Sequence, residues 1–215
     1  MNGMTAAPGT LVLALALVSL TGFAVYLLLL QRPTSLLRTS AKTLAVAALS
    51  VLAFQVGGPW LLIGALALSA LGDAFLAHEG DAAFLGGLGS FLVAHILYAV
   101  LLVSVGPGVT ASVLPGLLAV VVFALAIGFV LVRQAGPLAL PVAVYVIAVA
   151  AMVAGGVIHG GLALVGAILF MASDTILGAE KFLMAETSPA RRLTAPAVWV
   201  LYYAGQVLIT LGLLA

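Results

Sequence analysis

Eight apolar runs divide the chain, at roughly 9–30, 36–55, 59–78, 84–105, 112–133, 137–155, 161–179 and 195–214. Each approaches the roughly 20 residues that a helix needs to cross the hydrocarbon of a bilayer. The divisions fall on turn-forming groups: Gln31-Arg32-Pro33, Gly57-Gly58-Pro59, Gly106-Pro107-Gly108, Gly136-Pro137 and Gly160-Gly161. A sequence that is 65% hydrophobic and 6% charged could not cover a water-soluble surface. The expected fold is all-α, a polytopic membrane helical bundle of eight transmembrane helices forming a single integral membrane domain over residues 1–215. Glycines and alanines inside the runs suit close helix packing in lipid. The first apolar stretch, Leu11 to Leu30, has no basic segment before it and no clear cleavage site. It reads as a retained span, not a signal peptide.

Charge distribution gives an orientation. Arg32, Arg38 and Lys42 lie around the first connection, Arg133 at the fifth, and Lys181, Arg191 and Arg192 in the seventh. All basic residues therefore fall on one side. By the positive-inside rule that side is cytoplasmic and both termini are outside. The expected location is the cytoplasmic membrane of a bacterium.

An octapeptide occurs twice: GDAFLAHE, Gly72 to Glu79, and SDTILGAE, Ser173 to Glu180, 101 positions on. Each copy places an aspartate, Asp73 or Asp174, near the cytoplasmic end of a span. An ionisable side chain there is costly and marks a functional site by default. Four spans separate the equivalent positions, an even number. The halves, 9–105 and 112–214, are therefore expected to be parallel repeats about an axis along the membrane normal. The two carboxylates would then lie at similar depth, near the cytoplasmic leaflet.

Other polar residues sit within the spans. Lys42 lies about six residues into the second, or roughly 9 Å at 1.5 Å per residue. It either snorkels to the interface or pairs with a carboxylate or a lipid phosphate. His95 and Tyr98, three apart, share a face of the fourth span, and Gln206 shares a face of the last with Tyr202, Tyr203 or both. His78, Glu79, Asp81, Glu180 and Lys181 read most simply as solvated loop residues. The chain has no cysteine, which removes disulfides, thiolate catalysis and cysteine metal sites. His78, His95 and His159 fall at different depths, and neither HxxxH nor HExxH is present. No metal or other cofactor is expected. There is no G-x-S-x-G, no nucleic acid partner is expected, and nothing specifies an oligomeric state.

Four segments carry a resemblance: LSALGDAFLA at Leu68–Ala77, FLGGLGSFLVAHILYAV at Phe84–Val100, GAILFMASDTILGAEKF at Gly166–Phe182 and LYYAGQVLI at Leu201–Ile209. Together they resemble the YhhN family of eight-span membrane proteins, the lysoplasmalogenase family. Carried over by position, Asp73, Asp174, Ser173, His95, Tyr98, Tyr202, Tyr203 and Gln206 match the family's polar positions, and Lys42 matches its lysine in span two. Thr43 stands where the family usually has proline, so the aim of Lys42 is open. Gly205 replaces an alanine, a minor change by this reading.

The resemblance implies hydrolysis of the vinyl ether bond of lysoplasmalogens, drawn from the bilayer among the membrane lipids. The products would be a fatty aldehyde and glycerophosphoethanolamine or glycerophosphocholine. Such a bond breaks by protonation of the alkene carbon remote from oxygen, followed by addition of water. Asp73 and Asp174 would be the catalytic acid and base, acting as a pair. Lys42, His95, Tyr98, Ser173, Tyr202, Tyr203 and Gln206 would bind or support the substrate. The same aspartates also suit a proton relay in a proton-coupled transporter.

Overall fold

A computed structural model describes residues 8–78 and 80–215, which form eight α-helices and two 3-10 turns. The helices are α1 (Pro8–Leu29), α2 (Leu36–Gln55), α3 (Trp60–Leu76), α4 (Asp81–Val105), α5 (Leu114–Gln134), α6 (Ala139–His159), α7 (Gly161–Phe182) and α8 (Arg191–Leu214). The protein is an all-α integral membrane bundle. Seven of its helices are long and apolar enough to cross a membrane. The eighth, α3, has 17 residues and rises about 25 Å, the lower limit for a span.

The helix ends follow from local chemistry. Ser35 caps α2 by accepting a hydrogen bond from the Arg38 amide at 3.2 Å. Gly57, with φ +72°, takes the left-handed conformation that turns the chain into α3, and Gly160 and Gly161 (φ +86° and +57°) do the same between α6 and α7. Four helices run three or four residues further than the apolar pattern indicates, α4 from Asp81 and α6 to His159 among them. α7 continues through Glu180 and Lys181, and α8 starts at Arg191. Glu180 is therefore not a solvated loop residue. It is buried, its carboxylate accepts from the Thr194 hydroxyl, and its carbonyl accepts from Arg191 Nη2. The hydrogen bonds to α8 make burial tolerable and the helix longer.

The main packing pairs are α1 with α2, α3 with α4, α7 with α8, α2 with α3, α4 with α6 and α5 with α6. Large apolar side chains cover the outside, among them Leu118, Leu125, Phe129 and Ile147. Inside, small residues permit close approach. A Cβ added at Gly205 would lie 2.9 Å from the Gly166 carbonyl oxygen, and one at Gly166 would lie 2.7 Å from the Gly205 carbonyl oxygen. Glycine at 205 is thus not a minor change: it allows α7 and α8 to touch backbone to backbone.

Candidate active site

A cavity of about 900 Å³ opens between the helices, with Asp73 on α3 and Asp174 on α7 both in its wall. The residues that surround it change character along its length. Phe91, Val149, Met171, Trp199 and Tyr202 line the apolar part, whereas Arg38, Asp81, Glu180, Lys181, Glu186 and Arg191 give the other part its charges. Glu79 of the first octapeptide lies outside the described residues.

Asp73 is 1% exposed, and both of its oxygens are engaged. Lys42 Nζ stands 3.3 Å from Oδ1, and the Tyr202 hydroxyl donates to Oδ2 at 2.6 Å. Lys42 therefore pairs with a carboxylate. α2 continues unbroken past Thr43, and the lysine reaches across to α3. Its ammonium also stands 5.7 Å from the ring centre of Tyr26. A buried pair of this kind needs every lone pair satisfied, and removing one partner costs about 3–5 kcal/mol.

Asp174 is 12% exposed and has different neighbours. Oδ2 accepts from the Tyr145 hydroxyl at 2.9 Å and lies 3.3 Å from His95 Nε2. That last contact is within ion-pair reach but is not aligned as a hydrogen bond, so His95 Nε2 has no aligned partner. The other ring nitrogen, Nδ1, lies 2.6 Å from the Phe91 carbonyl oxygen. A carbonyl only accepts, so Nδ1 carries a hydrogen and Nε2 faces the carboxyl group. The two groups are placed to share a proton. It makes either imidazolium and carboxylate or imidazole and carboxylic acid.

The aromatic side chains hold these groups in place. His95 packs against Phe170 and Tyr145, with ring centres 4.6 and 5.3 Å apart. Phe170 in turn meets Tyr202 edge to face at 5.1 Å. The cluster connects the Asp174 side of the cavity to the Asp73 side without a hydrogen bond between the two carboxyl groups.

The remaining positions form a layer behind the cavity or leave it. Tyr98 donates to Gln206 Oε1 at 2.5 Å, deep in the core. Ser173 lines the cavity but spends its hydroxyl on the Val198 carbonyl at 2.9 Å, tying α7 to α8. Tyr203 turns the other way. Its hydroxyl meets Ser19 of α1 at 2.8 Å, and its ring stacks on Phe23. Two residues at the cavity escape a reading of motifs. Tyr145 carries the one polar side chain of α6 before His159, and that solitary hydroxyl in an apolar span is the signal that marks it. Arg38 reads from sequence only as an orientation charge.

The profile of the YhhN family matches residues 37–213. Lysoplasmalogenase TMEM86B of Homo sapiens is 38% identical over 156 residues, covering 72% of this chain and 63% of that protein. The lysoplasmalogenase of Mycobacterium tuberculosis is 34% identical over 161 residues, covering 70% of this chain and 59% of that protein. The chain thus spans less than two thirds of the length of these curated relatives. No solved structure matches it. With nearly the whole of α2 to α8 inside the matched region, and with Lys42, Asp73, His95, Asp174 and Tyr202 all within it, the chain belongs to the YhhN family.

Proposed function

We propose that this protein is a lysoplasmalogenase that cleaves the vinyl ether bond of a lysophospholipid, with Asp174 as the proton donor. The observation that carries the reading is the pairing of Asp174 with His95, whose other nitrogen is committed to a backbone carbonyl. The pair is therefore placed to share a proton at a carboxyl group that faces the cavity. The names of the relatives favour hydrolysis over the proton-coupled carrier.

The reaction proceeds as follows. The Asp174 carboxyl group gives its proton to the alkene carbon remote from oxygen, which leaves an oxocarbenium ion at the adjacent carbon. Water adds to that carbon and returns a proton to Asp174. The hemiacetal then breaks its bond to the glycerol oxygen, the hydroxyl proton passes to that oxygen, and aldehyde and alcohol leave. Asp73, with Lys42 and Tyr202 donating to its two oxygens, is an anion throughout. Its charge is held in advance of the cation that develops nearby. His95 and Tyr145 orient Asp174, and the Tyr98–Gln206 pair supports the wall behind them.

The alkyl chain has a path out. An apolar groove of about 310 Å³ runs between α4 and α6, lined by Leu85, Leu92, Leu140 and Val144, and it shares Leu88 with the cavity. A lysolipid with its chain in this groove would enter sideways from the bilayer. In this reading the protein lies in the cytoplasmic membrane of a bacterium, with both termini outside and the charged mouth at the cytoplasmic leaflet. The pairings α1–α2, α3–α4, α2–α3 and α4–α6 recur as α5–α6, α7–α8, α6–α7 and α8–α2. That recurrence supports two parallel four-helix repeats.

The test is aldehyde release by purified protein in detergent, from an alkenyl lysophospholipid and from its acyl ester counterpart. Cleavage of the alkenyl lipid alone is expected. Asp174→Asn should lower kcat by about 100-fold or more, the usual contribution of a general acid. Cleavage that survives Asp174→Asn would overturn the mechanism, and a folded protein that cleaves neither lipid would overturn the function.

A further inference from the structure

Four cations line the cavity: Arg38, Lys42, Lys181 and Arg191. Three are engaged within the protein. Lys42 is paired with Asp73 at 3.3 Å. Lys181 stands 3.9 Å from Asp81. Arg191 donates through Nε and Nη2 to carbonyls of Glu180, Met184 and Ala185 at the end of α7, where the helix dipole is negative. Arg38 differs from all of these. Among the described residues it forms no ion pair with a carboxylate. Its guanidinium makes one side-chain hydrogen bond, from Nη1 to the Arg32 carbonyl at 2.9 Å.

Arg38 is nevertheless aimed. It lies four residues before Lys42 on the same face of α2, and both side chains rest on Tyr26, each cationic centre 5.7 Å from the ring centre. The tyrosine holds the arginine at the cavity wall without neutralising it. The remaining guanidinium donors match the oxygens of a phosphodiester in the fork geometry that arginine uses for phosphate. Spacing agrees as well. Four residues of helix rise about 6 Å. The phosphorus and the ether oxygen of an extended lysophospholipid lie about 6 Å apart at ordinary bond lengths.

We propose that Arg38 is the phosphate anchor of this cavity, binding the lysolipid phosphodiester one helical turn outward from the Lys42–Asp73 pair. This rests on the lysoplasmalogenase reading and adds a division of labour to it. Lys42 is spent on the catalytic carboxylate. Arg38 recognises the headgroup and sets the depth at which the vinyl ether comes to rest beside Asp174. The anchor reads the phosphodiester, so it serves ethanolamine and choline headgroups alike.

The test compares two substrates, an alkenyl glycerophosphoethanolamine and the corresponding alkenyl glycerol without phosphate, on wild type, Arg38→Ala and Arg38→Lys. Arg38→Ala should raise KM for the phospholipid by about tenfold or more, as expected for loss of a charge-assisted contact, with kcat within about twofold of wild type. Its kcat/KM for the phosphate-free lipid should equal that of wild type, and Arg38→Lys should recover part of the loss. An equal loss on both substrates, or no change on the phospholipid, overturns the proposal.

A second readout does not depend on turnover. Binding of a non-hydrolysable alkyl ether lysophospholipid, followed by the fluorescence of Trp199 in the cavity wall, should weaken about tenfold in Arg38→Ala. Wild type that binds this lipid through Arg38 but cleaves no vinyl ether would refute the hydrolase reading and leave the anchor standing. Equal binding by both proteins refutes the anchor.

Discussion

Asp73 and Asp174 occupy the same step of a repeated octapeptide, yet their neighbours differ. Asp73 receives a lysine and a tyrosine hydroxyl and is sealed in. Asp174 receives a histidine and a tyrosine hydroxyl and keeps an open side toward the cavity. No hydrogen bond joins the two carboxyl groups, and each is held by its own partners. The tyrosines test this division. A hydrogen bond to a charged group contributes about 1.5–3 kcal/mol, so Tyr202→Phe and Tyr145→Phe should each lower kcat by about tenfold or more. Tyr202→Phe should also lower the thermal midpoint in detergent, because it leaves a buried carboxylate oxygen unsatisfied. Tyr145→Phe should leave the midpoint closer to wild type, because Asp174 has the cavity to face. Wild-type turnover by Tyr145→Phe would remove that hydroxyl from the acid site. Of these four partners, His95, Lys42 and Tyr202 are visible in the sequence as polar groups at telling positions. Tyr145 belongs to no motif, and its role depends on α6 lying beside α7.

At the scale of helices, the contact between α7 and α8 positions the site. α7 carries Asp174 and α8 carries Tyr202, and the two are locked by Gly166 against Gly205 in the membrane and by Glu180, Thr194 and Arg191 at one end. Gly205→Ala places a methyl group against the backbone of α7. Overpacking of this kind costs about 1–3 kcal/mol, and the thermal midpoint in detergent should fall accordingly. Gly89→Ala is the control: a Cβ there meets nothing within 4 Å, and helix propensity favours alanine by about 1 kcal/mol. A midpoint unchanged by Gly205→Ala would mean that α7 and α8 are not in backbone contact. The apolar pattern locates both helices but not their true ends. Glu180 and Lys181 extend α7 beyond the hydrophobic run, Glu180 received by side chains of α8 and Lys181 by Asp81 of α4, and a hydropathy pattern carries no information about such partners.

Across the whole molecule, the absence of cysteine from the sequence makes topology directly measurable. Val109→Cys, in the connection between α4 and α5, should react with an impermeant thiol reagent added to intact cells. Ser188→Cys, in the connection between α7 and α8, should react only after the membrane is opened. The reverse pattern would place the charged mouth on the outer leaflet and sink the proposed route of substrate entry. The number of helices, their order, the punctuation between them and the one-sided distribution of positive charge all follow from the sequence, because each depends on local composition or on a run of neighbours along the chain. So does the selection of Asp73 and Asp174, since a carboxylate in an apolar span is costly wherever the helices go. What tertiary structure decided is who stands beside whom: Lys42 on Asp73, His95 and Tyr145 on Asp174, Tyr203 turned away toward Ser19, Ser173 spent on a carbonyl. These pairings join helices far apart in the chain. They are set by the rotation of each helix about its own axis, which packing of small against large side chains fixes and hydropathy leaves free.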